Sequence, residues 1–82
     1  MKLNNRDLYE CAREIKQICK NKNQIITIPI VYKDNKVCIC NIEKLNEFKK
    51  CGYCVIDYYT YFPTKKDLFL CEIVEEICNK IY

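Results

Sequence analysis

The sequence predicts an α/β (α+β) fold: one small domain over residues 1–82, in the order α-β-β-α-β-α, with a three-stranded mixed sheet packed by helices. Apolar residues near both ends recur with a period close to 3.6, which predicts helices there. The middle holds β-branched and aromatic runs separated by Asp-Asn, Gly and Pro, which predicts strands. Length limits the chain to one core, since at this size only about 60% of the unfolded surface can be buried. Half the residues are apolar and 30% are charged, a balance that favours folding over disorder.

Asn4 or Asn5 can cap the first helix, because a short side-chain oxygen there accepts from a free backbone N–H. Leu8, Cys11, Ala12, Ile15, Ile18 and Cys19 then form one buried stripe, with Arg13, Glu14, Lys16 and Lys20 toward water. The helix fades in the polar residues 20–23. Residues 25–32 are rich in Ile and Val and read as a strand; Pro29 cannot donate to a ladder, so it predicts a sheet edge or a bulge. Asp34 and Asn35 both tolerate positive φ and predict a two-residue hairpin turn into a return strand at residues 37–40. That strand is apolar on both faces, as expected of a central one.

Asn41 can cap a short helix through Lys50, with Ile42, Leu45 and Phe48 as its buried stripe. Gly52 follows, where a helix C-terminus wants a left-handed residue. Residues 53–62 form a third strand that Pro63 ends, and Thr64 to Asp67 resembles a capping box with Asp in place of Glu. The last helix carries Leu70, Ile73, Val74, Ile77, Cys78 and Ile81 on one side and Glu72, Glu75, Glu76 and Lys80 on the other. A right-handed strand–helix–strand connection makes the second and third strands a parallel pair, and hence the sheet mixed.

What is missing excludes several chemistries. The chain contains no His, no Ser and no Trp, which removes serine nucleophiles, imidazole acid–base catalysis and imidazole metal ligands. One Gly leaves no glycine-rich phosphate loop. The longest apolar stretch, residues 28–32, includes a proline and is far too short to cross a bilayer. The opening Met-Lys-Leu-Asn-Asn-Arg-Asp offers no apolar signal-peptide core, so a cytoplasmic location is expected. Twelve Lys against two Arg, twelve Ile and eight Asn against one Ala and one Gly suggest an AT-rich coding genome, as in low-GC bacteria, their phages, some protists or giant viruses.

The net charge of +3 is mild, and its excess lies in residues 1–22, with six basic and three acidic groups. Arg13, Lys16, Lys20 and Lys22 there are the candidate nucleic-acid contacts, although nucleic-acid binders usually cluster cations more densely.

Eight cysteines in 82 residues allow three readings beside that of buried, reduced, structural thiols, which is the one expected. A disulfide framework suits the density but not the missing signal peptide. A zinc site could draw on Cys38-x-Cys40 and Cys51-x-x-Cys54, ten residues apart, though the first pair is one residue shorter than a zinc ribbon's. Cys51-Gly-Tyr-Cys54 resembles the C-x-x-C of thioredoxin-like proteins in the tetrapeptide alone. There the first cysteine opens a helix, whereas here a helix precedes the motif and a strand follows.

Tyr58, Tyr59, Thr60, Tyr61 and Phe62 are the densest aromatic cluster. Alternation puts Cys54, Ile56, Tyr58 and Phe62 on one face, read as core, and Val55, Asp57, Tyr59 and Tyr61 on the other. Asp57, Tyr59 and Tyr61 are thus the candidate partner-binding residues, since tyrosine brings large contact area at low entropic cost; the alternative is that Tyr59 and Tyr61 cover the sheet beneath the first helix. The expected function is non-enzymatic: a small intracellular protein-interaction module, specifically a phage- or mobile-element-encoded inhibitor of the anti-CRISPR type that blocks a partner surface. The alternatives are a small nucleic-acid-binding protein using the basic N-terminal helix and a binding module stabilised by zinc on the four cysteines Cys38, Cys40, Cys51 and Cys54. No cofactor is expected. The partner is another protein or a protein–nucleic acid complex, with direct nucleic-acid binding and a homodimer both allowed and no membrane involved.

Overall fold

A computed structural model describes residues 4–64 and 68–81, in the order α1 (Asn5–Cys19), β1 (Ile26–Lys33), β2 (Lys36–Ile39), a 3-10 turn (Ile42–Lys44), α2 (Leu45–Lys50), β3 (Cys54–Tyr61) and α3 (Leu70–Ile81). This is a three-stranded α+β sheet packed by helices, and the element order is the one the sequence predicts. Asn4 opens α1, its Oδ1 accepting from Arg6 N–H at 3.0 Å. Asn41 opens the 3-10 turn in the same way, accepting from Glu43 N–H at 3.0 Å. Asp34 and Asn35 take φ of 51° and 62°, the pair of left-handed residues that a tight hairpin between twisted strands requires. Residues 65–67 of the expected capping box and the side chain of Ile81 lie outside the described residues.

Sheet pairing differs from the expectation. The strand order is β2-β1-β3, and both ladders are antiparallel. β2 and β3, each antiparallel to β1, do run parallel to each other, but β1 lies between them, so the sheet is not mixed. The hairpin return strand β2 is an edge, and β1 is central. Pro29 therefore sits in the central strand, and one bond explains why that is tolerated. Its carbonyl accepts from Cys40 N–H at 3.2 Å, one residue beyond the end of β2. A residue's N–H and C=O point to the same side of a strand, so the donor that proline lacks falls where the β1–β2 ladder has already ended.

The core lies between one face of the sheet and the two long helices. Leu8, Cys11, Ala12, Ile15 and Cys19 of α1 and Ile73 and Ile77 of α3 pack with Ile28, Ile30, Val37, Ile39, Tyr59 and Tyr61 of the strands. Ile18, expected in the α1 stripe, is 40% exposed, and Cys71 of α3 is also exposed. α2 is too short to bury a full stripe: Leu45 and Phe48 are half-buried and Ile42 is exposed. What ends α2 is a full Schellman turn. Gly52 N–H bonds Lys49 O at 3.1 Å and Tyr53 N–H bonds Phe48 O at 3.0 Å, with Gly52 at φ 95°.

Candidate functional site

The tyrosine strand turns the face read as core outward and packs Tyr59 and Tyr61 beneath the helices, the packing alternative rather than the partner-binding one. Asp57 stands across from Ile30 and Val55 across from Val31, so Ile56 is an extra residue, a bulge in β3. Beyond it Tyr59 faces Ile28 and Tyr61 faces Ile26, with both tyrosines turned into the core at 1% and 7% exposure. Tyr58 and Phe62, expected in the core, are 38% and 51% exposed. Alternation separates the two faces of a strand but does not say which one the helices cover. Tyr59 and Tyr61 thus present no aromatic surface to a partner. Asp57 is engaged internally: its Oδ1 accepts from Tyr58 N–H at 2.7 Å and lies 4.0 Å from Lys80 Nζ.

The four cysteines of the zinc alternative are not brought together. Among the described residues no three Cys, Asp or Glu side chains converge in a way that could hold a metal ion. Cys38 is half-buried and Cys40 buried, whereas Cys51 and Cys54 are exposed at the far end of α2. All eight cysteines are free. Cys51 caps the C-terminus of α2 rather than opening a helix, so the thioredoxin-like tetrapeptide lacks the helix N-terminus its chemistry uses. Burial holds the deeper sulfurs as thiols. It pushes Cys11 from 9.0 up to about 12, helped by the charges of Glu14, Cys38, Asp7 and Glu10. It also raises Cys19, Cys38 and Cys40. Cys11 Sγ spends its weak donor on Val37 O at 3.6 Å.

The cations of the first helix fare differently. Arg13, Lys16 and Lys20 follow i, i+3, i+7 spacing, which places them on one face of α1 and its cap. That face forms one wall of a groove of about 570 Å³. Leu68, Phe69 and Leu70 line it too, at the start of α3, together with the buried Cys19 and Tyr61. Gln17 and Asn21 also line it, and among the described residues no carboxylate does. Lys16 and Lys20 also sit where a helix C-terminus favours positive charge, so the fold itself stabilises cations there. Lys22, the fourth predicted cation, does not line this groove; its backbone carbonyl accepts from Tyr61 Oη at 3.5 Å.

Phe69 is the residue sequence reasoning missed. Its carbonyl accepts from Glu72 N–H and Ile73 N–H, both at 3.1 Å, so its backbone starts α3. A polar cap residue is usual at such a position, so a phenylalanine there is the signal the sequence offers; the structure leaves it 55% exposed. A second, more open hollow of about 630 Å³ runs along α1, with Glu10 and Glu14 beside Arg13, Gln17 and Ile18. Among the described residues no helix is long and apolar enough to cross a membrane. No protein-family model, curated protein or solved structure matches the chain.

Proposed function

We propose that the protein is a non-enzymatic protein-interaction module that occupies a partner's surface, and that it docks an acidic segment with an apolar anchor in the groove between α1 and the start of α3. The observation that carries this reading is the composition of that groove among the described residues: Arg13, Lys16 and Lys20 on one side, and Leu68 and the exposed Phe69 on the other. Carboxylates of a partner would meet the cations, while a Leu or Phe would cover the Phe69 ring, the pairing of apolar anchor and charged rim usual in protein interfaces. An inhibitor encoded by a phage or mobile element, of the anti-CRISPR type, is the form of this reading that the small size and AT-rich composition favour.

The same three cations favour a second reading, a nucleic-acid groove. Two features weigh against it. Glu10 and Glu14 continue the line of α1, so a long polyanion following the helix would run into like charge. Single strands also want successive aromatic platforms, and among the described residues of the lining Phe69 is the one exposed aromatic.

Binding to an array of peptides combining Asp or Glu with one Leu or Phe, and to single-stranded DNA and RNA oligomers, tests the choice. Peptide binding should fall about tenfold or more in Phe69→Ala and in the Arg13→Gln, Lys16→Gln, Lys20→Gln triple variant, but not in Lys44→Gln with Lys49→Gln. Oligomer binding that is steeply salt-dependent, tracks the three cations and ignores Phe69→Ala would transfer the groove to nucleic acid.

A further inference from the structure

Two side chains occupy the outer edge of β3 at Tyr58. Tyr58 stands across from Pro29, whose carbonyl is turned to the β2 side. Pro29 and Tyr58 are therefore a non-hydrogen-bonded pair, and the backbone N–H and C=O of Tyr58 face away from β1, toward the open side of the sheet. Both groups are nonetheless taken. Asp57 Oδ1 accepts from Tyr58 N–H at 2.7 Å, and Lys80 Nζ, reaching over from α3, donates to Tyr58 O at 2.7 Å. The two side chains lie 4.0 Å apart and are each about one-third exposed.

An unpaired N–H and C=O on an edge strand are a template for another strand. Here the template is self-complementary. Two copies of β3 placed antiparallel about a two-fold axis through Tyr58 would exchange both bonds, Tyr58 N–H of each to Tyr58 O of the other. The exposed Tyr58 rings of the two copies would meet across that pair. We propose that Asp57 and Lys80 are an edge guard: by saturating the Tyr58 peptide groups they keep β3 from pairing with the β3 of a second copy. Their ion pair is exposed, so its main effect falls on association rather than on folding.

The test compares the parent chain with Asp57→Ala/Lys80→Met, the single variant Lys80→Met, and Lys80→Arg, which keeps the charge and the donor. Light scattering behind size exclusion, over a concentration series, reads self-association; thermal melts confirm folding; amide exchange reads Tyr58. The parent should be monomeric with a protected Tyr58 N–H. The double variant should associate at least tenfold more tightly, with Lys80→Met intermediate and Lys80→Arg like the parent. In the double variant Tyr58 N–H should lose protection at low concentration and regain it on association. A folded double variant, or a folded Lys80→Met should the double fail to fold, that remains as monomeric as the parent would overturn the guard. So would a parent that already dimerises with β3 paired.

Discussion

Tyr59 stands directly across from Ile28 in the β1–β3 ladder, and the two side chains, 1% and 3% exposed, fill the sheet side of the core beneath α1 and α3. The aromatic that sequence pattern offers as a recognition residue is thus a packing residue. Tyr59→Ala should cost about 3–5 kcal/mol, the range for deleting a buried aromatic, whereas Tyr58→Ala, two-fifths exposed, should cost far less. Urea titration of both variants checks this, and equal midpoints would contradict the assigned faces.

Alkaline pH should destabilise the protein through Cys11 and Tyr59. Burial pushes Cys11 from 9.0 up to about 12, and Tyr59 from 10.0 up to about 12. Both groups are neutral when protonated, so between the unfolded and folded values the folded chain holds more protons than the unfolded one. Their contribution is fully present below about pH 9 and is lost as pH rises toward 12, at up to about 1.4 kcal/mol per pH unit for each group. Melting temperatures between pH 8 and 11 should therefore fall, and Cys11→Ala should flatten the fall that begins near pH 9.

The elements were legible in the sequence because local chemistry decides them. Asn4 and Asn41 cap, Asp34 and Asn35 turn, and Gly52 takes the left-handed residue after α2, all within a few residues of chain. Strand neighbours were not legible, since β1's place between β2 and β3 depends on contacts far apart in sequence. The bulge at Ile56 has no local signature, and alternation does not say which face of β3 the helices cover, so Tyr59 and Tyr61 read equally as partner surface or as packing. The groove was half legible. The spacing of Arg13, Lys16 and Lys20 shows a shared cationic face, but the approach of Phe69 is set by where α3 packs.

Gly52→Ala isolates the cost of the α2 terminus. A Cβ there would meet Lys33 Cε at 3.6 Å, ordinary contact, so space does not oppose it. The φ of 95° does. The substitution should destabilise by about 1–2 kcal/mol through backbone strain alone. Gly52→Asn should recover part of the loss, because asparagine tolerates the left-handed region better than alanine does. Chemical denaturation of the three proteins checks the order, and Asn no better than Ala would remove backbone conformation as the cause.

Thiol labelling should sort the cysteines by depth. Cys51, Cys54 and Cys71 are exposed and should react with iodoacetamide in the folded protein. Cys38 and Cys78 are half-buried and should follow more slowly, while Cys11, Cys19 and Cys40 should wait for unfolding. Burial both shields these last three and raises their pKa, so little of the reactive thiolate forms at neutral pH. Unfolding without reductant should then expose eight free thiols, since all eight cysteines are free in the fold. Mass spectrometry of the labelled peptides reads each site. The pattern also bears on zinc, because ligation would protect Cys38, Cys40, Cys51 and Cys54 together, the exposed pair included. Chelator should accordingly leave both the labelling order and the melt unchanged. Joint protection of those four, released by chelator with a drop in melting temperature, would instead restore the zinc-stabilised alternative.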